Sequence, residues 1–158
     1  MDLFDKLLGK FQPLALSLFR FITGLLLFHY GTAKILGFPV VPMFAKIPPL
    51  IVTAGTIELV LGGLLMIGLF TRLSAFILSG QMAFAYFMAH APETFFPVNN
   101  GGDAAILFCF VFLYLFTAGP GPWSVDAKRG GQYRRGSEAA QDLARRHHGV
   151  RDSAPGPG

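Results

Sequence analysis

The sequence predicts an all-α integral membrane protein, a bundle of four transmembrane helices with its N and C termini in the cytoplasm. Of 158 residues, 53% are apolar and only 14% are charged, whereas an average globular chain has about 25% charged residues. The mean hydropathy is +0.52, and four apolar stretches are separated by breaks rich in Gly and Pro. From position 120 onward, seven Lys or Arg stand against four Asp or Glu. Because Lys and Arg of membrane proteins accumulate in the cytoplasm, this end is expected there.

The N-terminal part divides into a segment over residues 1–13 and a first span over residues 14–36. Leu and Phe recur at helical spacing between positions 3 and 11, so segment 1–13 is expected to be an amphipathic helix in the membrane interface, with a frayed terminus as the alternative. About 20 helical residues cross a hydrocarbon core. The first span is long enough, and Gly37-Phe38-Pro39 ends it.

Three further spans are predicted over residues 51–70, 73–90 and 102–118, which completes a bundle over residues 14–119. Glycines in the second span allow a neighbouring helix to approach closely; they are Gly55, Gly62, Gly63 and Gly68. The short Thr71-Arg72 link makes the second and third spans antiparallel neighbours. Residues 120–158, rich in Gly, Arg, Ser and Pro, are predicted to be a basic, largely disordered cytoplasmic tail, with a short helix at 137–146.

One carboxylate, Glu58, lies inside the apolar second span. An unpaired ion at membrane depth costs at least about 2.5–3.5 kcal/mol, so Glu58 is expected to be protonated or paired, with His29 or Lys34 as the leading partners. The alternating direction of the spans, at about 1.5 Å of rise per residue, places a set of polar side chains in the outward half of the bundle. They are His29, Lys34, Glu58, His90, Asn99, Asn100 and Asp103.

Three interpretations of this polar set stay open. It is a buried network that holds the helices together, a pocket that opens outward and holds a small ligand or a quinone head group, or a metal site. His29, Glu58 and His90 are suitable ligand types, but no ligand spacing supports a metal, and we predict none. Arg20, nearer the cytoplasmic end, either extends to the head groups or forms a salt bridge. The single Cys109 excludes an intrachain disulfide and a CxxC motif.

Four separated motifs give the chain a resemblance to a known family. They are His29-Tyr-Gly-Thr-Ala-Lys34, Gly55-Thr-Ile-Glu58 continuing to Arg72, Asn100-Gly-Gly-Asp103, and Gly119-Pro-Gly with Ser124-Val-Asp126. In this order they resemble the DoxX family of small four-helix bacterial membrane proteins, over about residues 14–127. The resemblance implies a bacterial inner-membrane bundle. The positions of this chain that match the motif residues of the family are Arg20, His29, Gly31, Lys34, Glu58, Gly63, Arg72, His90, Asn100 and Asp103.

The resemblance also implies a function, because founding members of the family are named as a subunit of a thiosulfate:quinone oxidoreductase and others associate with membrane redox complexes. The first hypothesis is therefore a quinone-linked redox subunit. In it Glu58 and His29 handle protons, and these two residues bind the ligand together with Arg20, Lys34, His90, Asn100 and Asp103. The chain has no haem, iron–sulfur or dinucleotide motif, so a redox partner or bound quinone is required. The alternative is a non-enzymatic accessory or assembly subunit. Expected partners are the lipid bilayer, a redox or respiratory complex, or further copies of the chain, and no nucleic acid.

Overall fold

A computed structural model describes residues 2–44 and 47–131. All of the regular structure in these two ranges is helical. The predicted tail beyond residue 131, with its expected helix at 137–146, lies outside the described residues, and so does Lys46 of the loop after the first span. Residues 120–131, which the sequence assigned to the start of the tail, are among the described residues, and residues 125–131 form helical turns.

The first helix, α1, runs from Asp2–Ile35 and joins two segments that the sequence separated. Pro13 lies inside it and removes the backbone hydrogen bond to Gly9. Leu, Lys and Gln on both sides favour helix, so the helix continues through the proline. The expected interfacial segment 1–13 is therefore the first three turns of the same helix as the first span.

The second helix, α2 (Pro49–Ile67), follows a short 3₁₀ turn at Pro42–Phe44. Proline occupies its first turn, and Gly68 ends it in the left-handed conformation with φ of 69°, a common helix end that an L side chain would strain. The third helix, α3 (Thr71–Ala85), continues into a π-helical segment, Tyr86–His90.

The last part contains a single turn, α4 (Pro97–Asn100), and α5 (Asp103–Ala118). The positions of α1, α2, α3 with its π-helical segment, and α5 agree with the four predicted apolar stretches to within a few residues, apart from the N-terminal extension of α1. Gly119, with φ of 88°, ends α5.

The helices pack in consecutive antiparallel pairs, and the most extensive contacts join α1 to α2 and α3 to α5. Glycine makes the first pair close. A Cβ on Gly24 would lie 2.8 Å from the Met66 backbone nitrogen, and one on Gly31 would lie 2.5 Å from that of Leu59. Glycine thus serves at the α1–α2 interface as the sequence predicted, and Gly24 and Gly31 supply the matching positions on α1.

Most of the apolar surface faces outward. The core is small and consists mainly of Leu27, Leu65, Leu78, Phe112 and Leu115. Two helical stretches are long and apolar enough to cross a membrane, Leu7–Ile35 and Pro49–Ile67, and only 28% and 22% of their most apolar windows are buried within the chain. A core helix of a soluble protein would be mostly buried, so these helices require an apolar surrounding.

The close approach of α1 and α2 makes a prediction about Gly31. A Gly31→Ala change should lower the free energy of unfolding by about 1–3 kcal/mol, because the new methyl group meets the backbone of α2 and not a movable side chain. The control is Gly80→Ala in α3, where a Cβ meets nothing within 4 Å. Thermal unfolding in detergent should show a lower midpoint for the first variant alone. Equal midpoints would contradict the close packing.

Candidate functional site

Lys34 and Glu58 form an ion pair between α1 and α2. The Lys34 Nζ lies 2.7 Å from both Glu58 carboxylate oxygens, and the side chains are 13% and 4% exposed, respectively. Lys34 stands in the last turn of α1, where the helix dipole favours a cation. Gly55 leaves room for its stem, since a Cβ there would lie 2.8 Å from the Lys34 Cβ. Of the two partners expected for Glu58, the structure selects Lys34.

Gln81 of α3 joins the pair. Its Nε2 donates to Glu58 Oε1 at 3.2 Å and to the Ala54 carbonyl at 3.1 Å. Both neighbours are acceptors, which fixes the orientation of the amide. Its Oε1 is buried without a hydrogen-bond partner in the described part of the chain. We call Lys34, Glu58 and Gln81 the ion-pair site.

Aromatic rings form one side of the ion-pair site. The Lys34 Nζ lies 5.8 Å from the centroid of the Tyr30 ring and 5.6 Å from that of Phe44, within the range of cation–π attraction. Tyr30 is 45% exposed and contacts Phe108 of α5 edge to face. Because an ammonium has three N–H donors, Lys34 can meet a further acceptor in addition to the carboxylate.

His90 and Asn100 form a second, separate contact at the turn that leads to α5. His90 Nδ1 lies 2.9 Å from the Asn100 carbonyl oxygen. The Asn100 amide donates to the Thr94 carbonyl at 2.6 Å and accepts from the Gly102 N–H at 2.7 Å. Buried Asn100 therefore satisfies the backbone of its own loop, which gives it a structural role.

The remaining predicted residues lie apart from the ion-pair site. His29 and Asp103 are exposed, and within the ranges 2–44 and 47–131 neither side chain has a hydrogen-bond partner. Asp103 stands in the first turn of α5, where a carboxylate is favoured by the helix dipole. Of the polar set that the sequence predicts for the outward half of the bundle, the structure brings Lys34 together with Glu58, and His90 together with Asn100.

Arg20 is buried, with 2% exposure, and neither extends to head groups nor forms its closest contacts with an acid. Its guanidinium donates to four backbone carbonyls. These are Pro120 at 2.8 Å, Met66 at 2.8 Å, Trp123 at 2.6 Å, and Leu65. Two of them belong to the end of α2 and two to the segment after α5. Arg20 thus ties the C-terminal segment to the α1–α2 pair, a role that a planar guanidinium with five donors can fill.

Asp126 completes this attachment from the other direction. Its carboxylate accepts from the N–H groups of Phe70 at 3.0 Å and Thr71 at 2.8 Å, which are free donors at the start of α3. Its own N–H donates to the Gly68 carbonyl at 2.9 Å. We call residues 119–128 the C-terminal strap. Buried Arg20 and partly buried Asp126 attach it to the end of α2 and the start of α3.

An open groove of about 370 Å³ lies between α1 and α5, and it is mostly apolar. It is lined by Gln12, Ala15, Leu16, Phe19 and Tyr114, so it is away from the ion-pair site. Among residues 2–44 and 47–131, no three His, Cys, Asp or Glu side chains are grouped to hold a metal ion.

The sequence matches the DoxX family model over residues 15–91. It is also 41% identical over 127 residues to an uncharacterized protein of Haemophilus influenzae, covering 77% of this chain and 95% of that protein. The chain belongs to the DoxX family. No solved structure matches it significantly. DoxX membership and the exposed apolar helices make it a membrane protein that sits in the lipid bilayer.

The DoxX match includes the whole ion-pair site and Arg20, while Asn100 and Asp103 lie beyond it. Reasoning from the sequence missed the role of Gln81. The available signal was that Gln81 is the only strongly polar residue between Leu73 and Ala89 in the third span. A buried carboxylate and a buried amide on adjacent antiparallel helices are expected to meet, because each needs a partner.

The attachment of the C-terminal strap makes a prediction about Arg20. Arg20→Lys should destabilise the protein by about 3 kcal/mol or more, because one ammonium cannot serve four carbonyls and each unsatisfied buried group costs about 1–3 kcal/mol. The strap, residues 119–128, should also become sensitive to protease. The control is Arg129→Lys, whose parent side chain is exposed. Unchanged stability and protease resistance in Arg20→Lys would contradict the assigned contacts.

Proposed function

We propose that this DoxX protein is an inner-membrane subunit of, or partner to, a quinone-linked redox system of the thiosulfate:quinone oxidoreductase type. In this proposal it is a multi-pass four-helix bundle with spans at about 14–36, 51–70, 73–90 and 102–118, both termini in the cytoplasm, and a basic tail from residue 120. The ion-pair site would then lie in the outer half of the bundle, below the 36–44 loop.

The observation that carries the proposal is the ion-pair site itself. A lysine and a carboxylate are buried among α1, α2 and α3 and lie against aromatic rings, where a charge pair costs desolvation energy. Mutual attraction accounts for the pair itself. In addition, the partly exposed Tyr30 ring and the third N–H donor of Lys34 would allow a planar ligand with oxygen acceptors to bind beside the pair. A quinone ring is planar and carries two such oxygens.

The residues present fit such a group by chemical type. Tyr30 and Phe44 offer ring faces, Lys34 offers a donor to a carbonyl oxygen, and Glu58 offers a proton acceptor beside it. A quinone, when bound, would accept two electrons and two protons. Glu58 and Lys34 would hold or exchange protons at the ligand oxygens. His29 lies on an exposed face and has no place beside this pair.

The alternative proposal is a non-enzymatic accessory or assembly subunit whose polar residues are purely structural. The observation in its favour is that the side chains of Arg20, Asn100 and Asp126 form hydrogen bonds with the backbone of the chain itself. Under this alternative the aromatic side of the ion-pair site contacts lipid alone.

Quinone content separates the two proposals. The protein is purified in native lipid discs, and its bound quinone is extracted and measured for wild type, Lys34→Met, Glu58→Gln and, as a matched control, Lys10→Met on the exposed start of α1. The redox proposal predicts quinone above the level of empty discs in wild type and Lys10→Met. In the two site variants the quinone should fall about tenfold, which corresponds to the loss of about 1.4 kcal/mol of binding energy. Wild type at the empty-disc level would refute the redox proposal, and equal content in all variants would exclude Lys34 and Glu58 as its binding groups.

A further inference from the structure

Three exposed cations lie at the end of the molecule where the C-terminal strap crosses the ends of the helices. Arg72 is in the first turn of α3, and Lys128 and Arg129 are in the helical turns that begin in the strap. None of the three forms an ion pair with another described residue. The Arg129 guanidinium lies 5.9 Å from the centroid of the Phe70 ring, which keeps it beside the α2–α3 turn. Together with two exposed aromatic side chains these cations form what we call the basic surface, which consists of Phe70, Arg72, Trp123, Lys128 and Arg129.

The single carboxylate beside the basic surface is already engaged. Asp126 is the only Asp or Glu in the stretches 59–92 and 119–137 of the sequence. Its two carboxylate oxygens accept hydrogen bonds from the backbone N–H groups of Phe70 and Thr71. The next acid, Glu138, follows two further cations, Arg134 and Arg135, in the sequence. The positive charge of the basic surface is therefore open to an anion from outside the chain.

The length of α2 gives the level of the basic surface relative to a bilayer. The 19 residues of α2 extend about 28 Å, which matches a hydrocarbon core of about 30 Å. When α2 crosses the membrane, its ends therefore lie at the two head-group layers. The carbonyl of Gly68, directly after α2, accepts the Asp126 N–H at 2.9 Å, so the strap lies at this level. Lys128 and Arg129 follow Asp126 by two and three residues, within reach of the head groups.

Phe70 and Trp123 give the basic surface its apolar part. They are 55% and 66% exposed, and Trp is enriched where hydrocarbon meets the head groups. Phe70 has a φ of 51°, which a bulky L residue rarely adopts. This backbone conformation is held by the hydrogen bond from the Phe70 N–H to Asp126. The structure thus retains an uncommon conformation that leaves the ring exposed and beside Arg129.

We propose that the basic surface binds the phosphate groups of anionic lipids in the leaflet that it faces. Lys and Arg close to the end of a membrane helix attract anionic lipids, and a guanidinium forms strong, directed hydrogen bonds with phosphate oxygens. A lipid is the partner because the strap lies at the level of the head groups, where its cations meet phosphate and its exposed rings meet the acyl boundary. The proposal does not rest on a quinone at the ion-pair site or on the orientation of the chain.

The fluorescence of Trp123 tests this proposal directly, because it is the only tryptophan of the chain. The protein is reconstituted in vesicles of phosphatidylglycerol and phosphatidylcholine, and in matched samples one lipid or the other carries bromine on its acyl chains near the head group. Bromine quenches tryptophan on contact. Phosphatidylglycerol should associate with Trp123 about fivefold more strongly than phosphatidylcholine does, equivalent to about 1 kcal/mol. Equal quenching by the two brominated lipids would overturn the proposal, and would leave an acidic protein or solvent to face the surface.

Two double variants separate charge from structure. Lys128→Gln/Arg129→Gln should lose most of the preference for phosphatidylglycerol, whereas Lys128→Arg/Arg129→Lys, which keeps both charges, should retain it. Both parent side chains are exposed, so the midpoint of thermal unfolding should be the same for wild type and both variants. A preference that persists in the glutamine variant, or that is lost equally in both variants, would contradict the assignment to these two cations.

Salt composition distinguishes a lipid phosphate from free phosphate. Raising the salt from about 0.1 M to about 1 M shortens the Debye length from about 10 Å to about 3 Å, so the preference for phosphatidylglycerol should fall. Sodium chloride and sodium phosphate at equal ionic strength should lower it equally. A much larger loss in sodium phosphate would assign the basic surface to free phosphate and overturn the lipid proposal.

Discussion

The ion pair of Lys34 and Glu58 determines how the first three helices of this protein are arranged. Glu58 is buried in an apolar helix, and its carboxylate is satisfied only when the end of α1 brings Lys34 to 2.7 Å and α3 brings Gln81 within hydrogen-bonding distance. Removing one member of a buried pair costs about 3–5 kcal/mol. The relative height of α1, α2 and α3 therefore depends on this charged contact as well as on the packing of their apolar surfaces.

Arg20 plays the corresponding part at the other end of the α1–α2 pair. Between the two charged side chains, Gly24 and Gly31 bring the helix backbones into contact, so a polar anchor stands at each end of a close-packed stretch. Arg20 also binds the C-terminal strap through the Pro120 and Trp123 carbonyls, and Asp126 of the strap caps the start of α3. Helices whose outer faces are apolar thus obtain a unique arrangement from a few buried polar groups, a specificity that hydrophobic contact with lipid cannot supply.

Much of the fold could be predicted because apolar length and Gly or Pro breaks mark the helices directly. The pairing of Glu58 was narrowed to two residues, and the structure selects Lys34. His29 could not be eliminated, because a two-residue uncertainty in helix phase rotates a side chain by about 200°. The roles of Arg20 and residues 120–131 were not foreseen, because the partners of Arg20 are backbone carbonyls, which every residue carries and no sequence pattern marks. The partners of Gln81 could not be predicted either, because a single polar residue in a sequence does not indicate which neighbour it contacts.

The central claim is that Glu58 is an ionised member of a pair with Lys34 in the membrane. Infrared difference spectroscopy of the protein in lipid, comparing wild type with Glu58→Gln and Lys34→Met, tests it most directly. The account predicts a carboxylate stretching band that is lost in both variants, because Glu58→Gln has no carboxyl group and the unpaired Glu58 of Lys34→Met should take up a proton. A protonated carboxyl band assigned to Glu58 in the wild-type protein, unaffected by Lys34→Met, would contradict it.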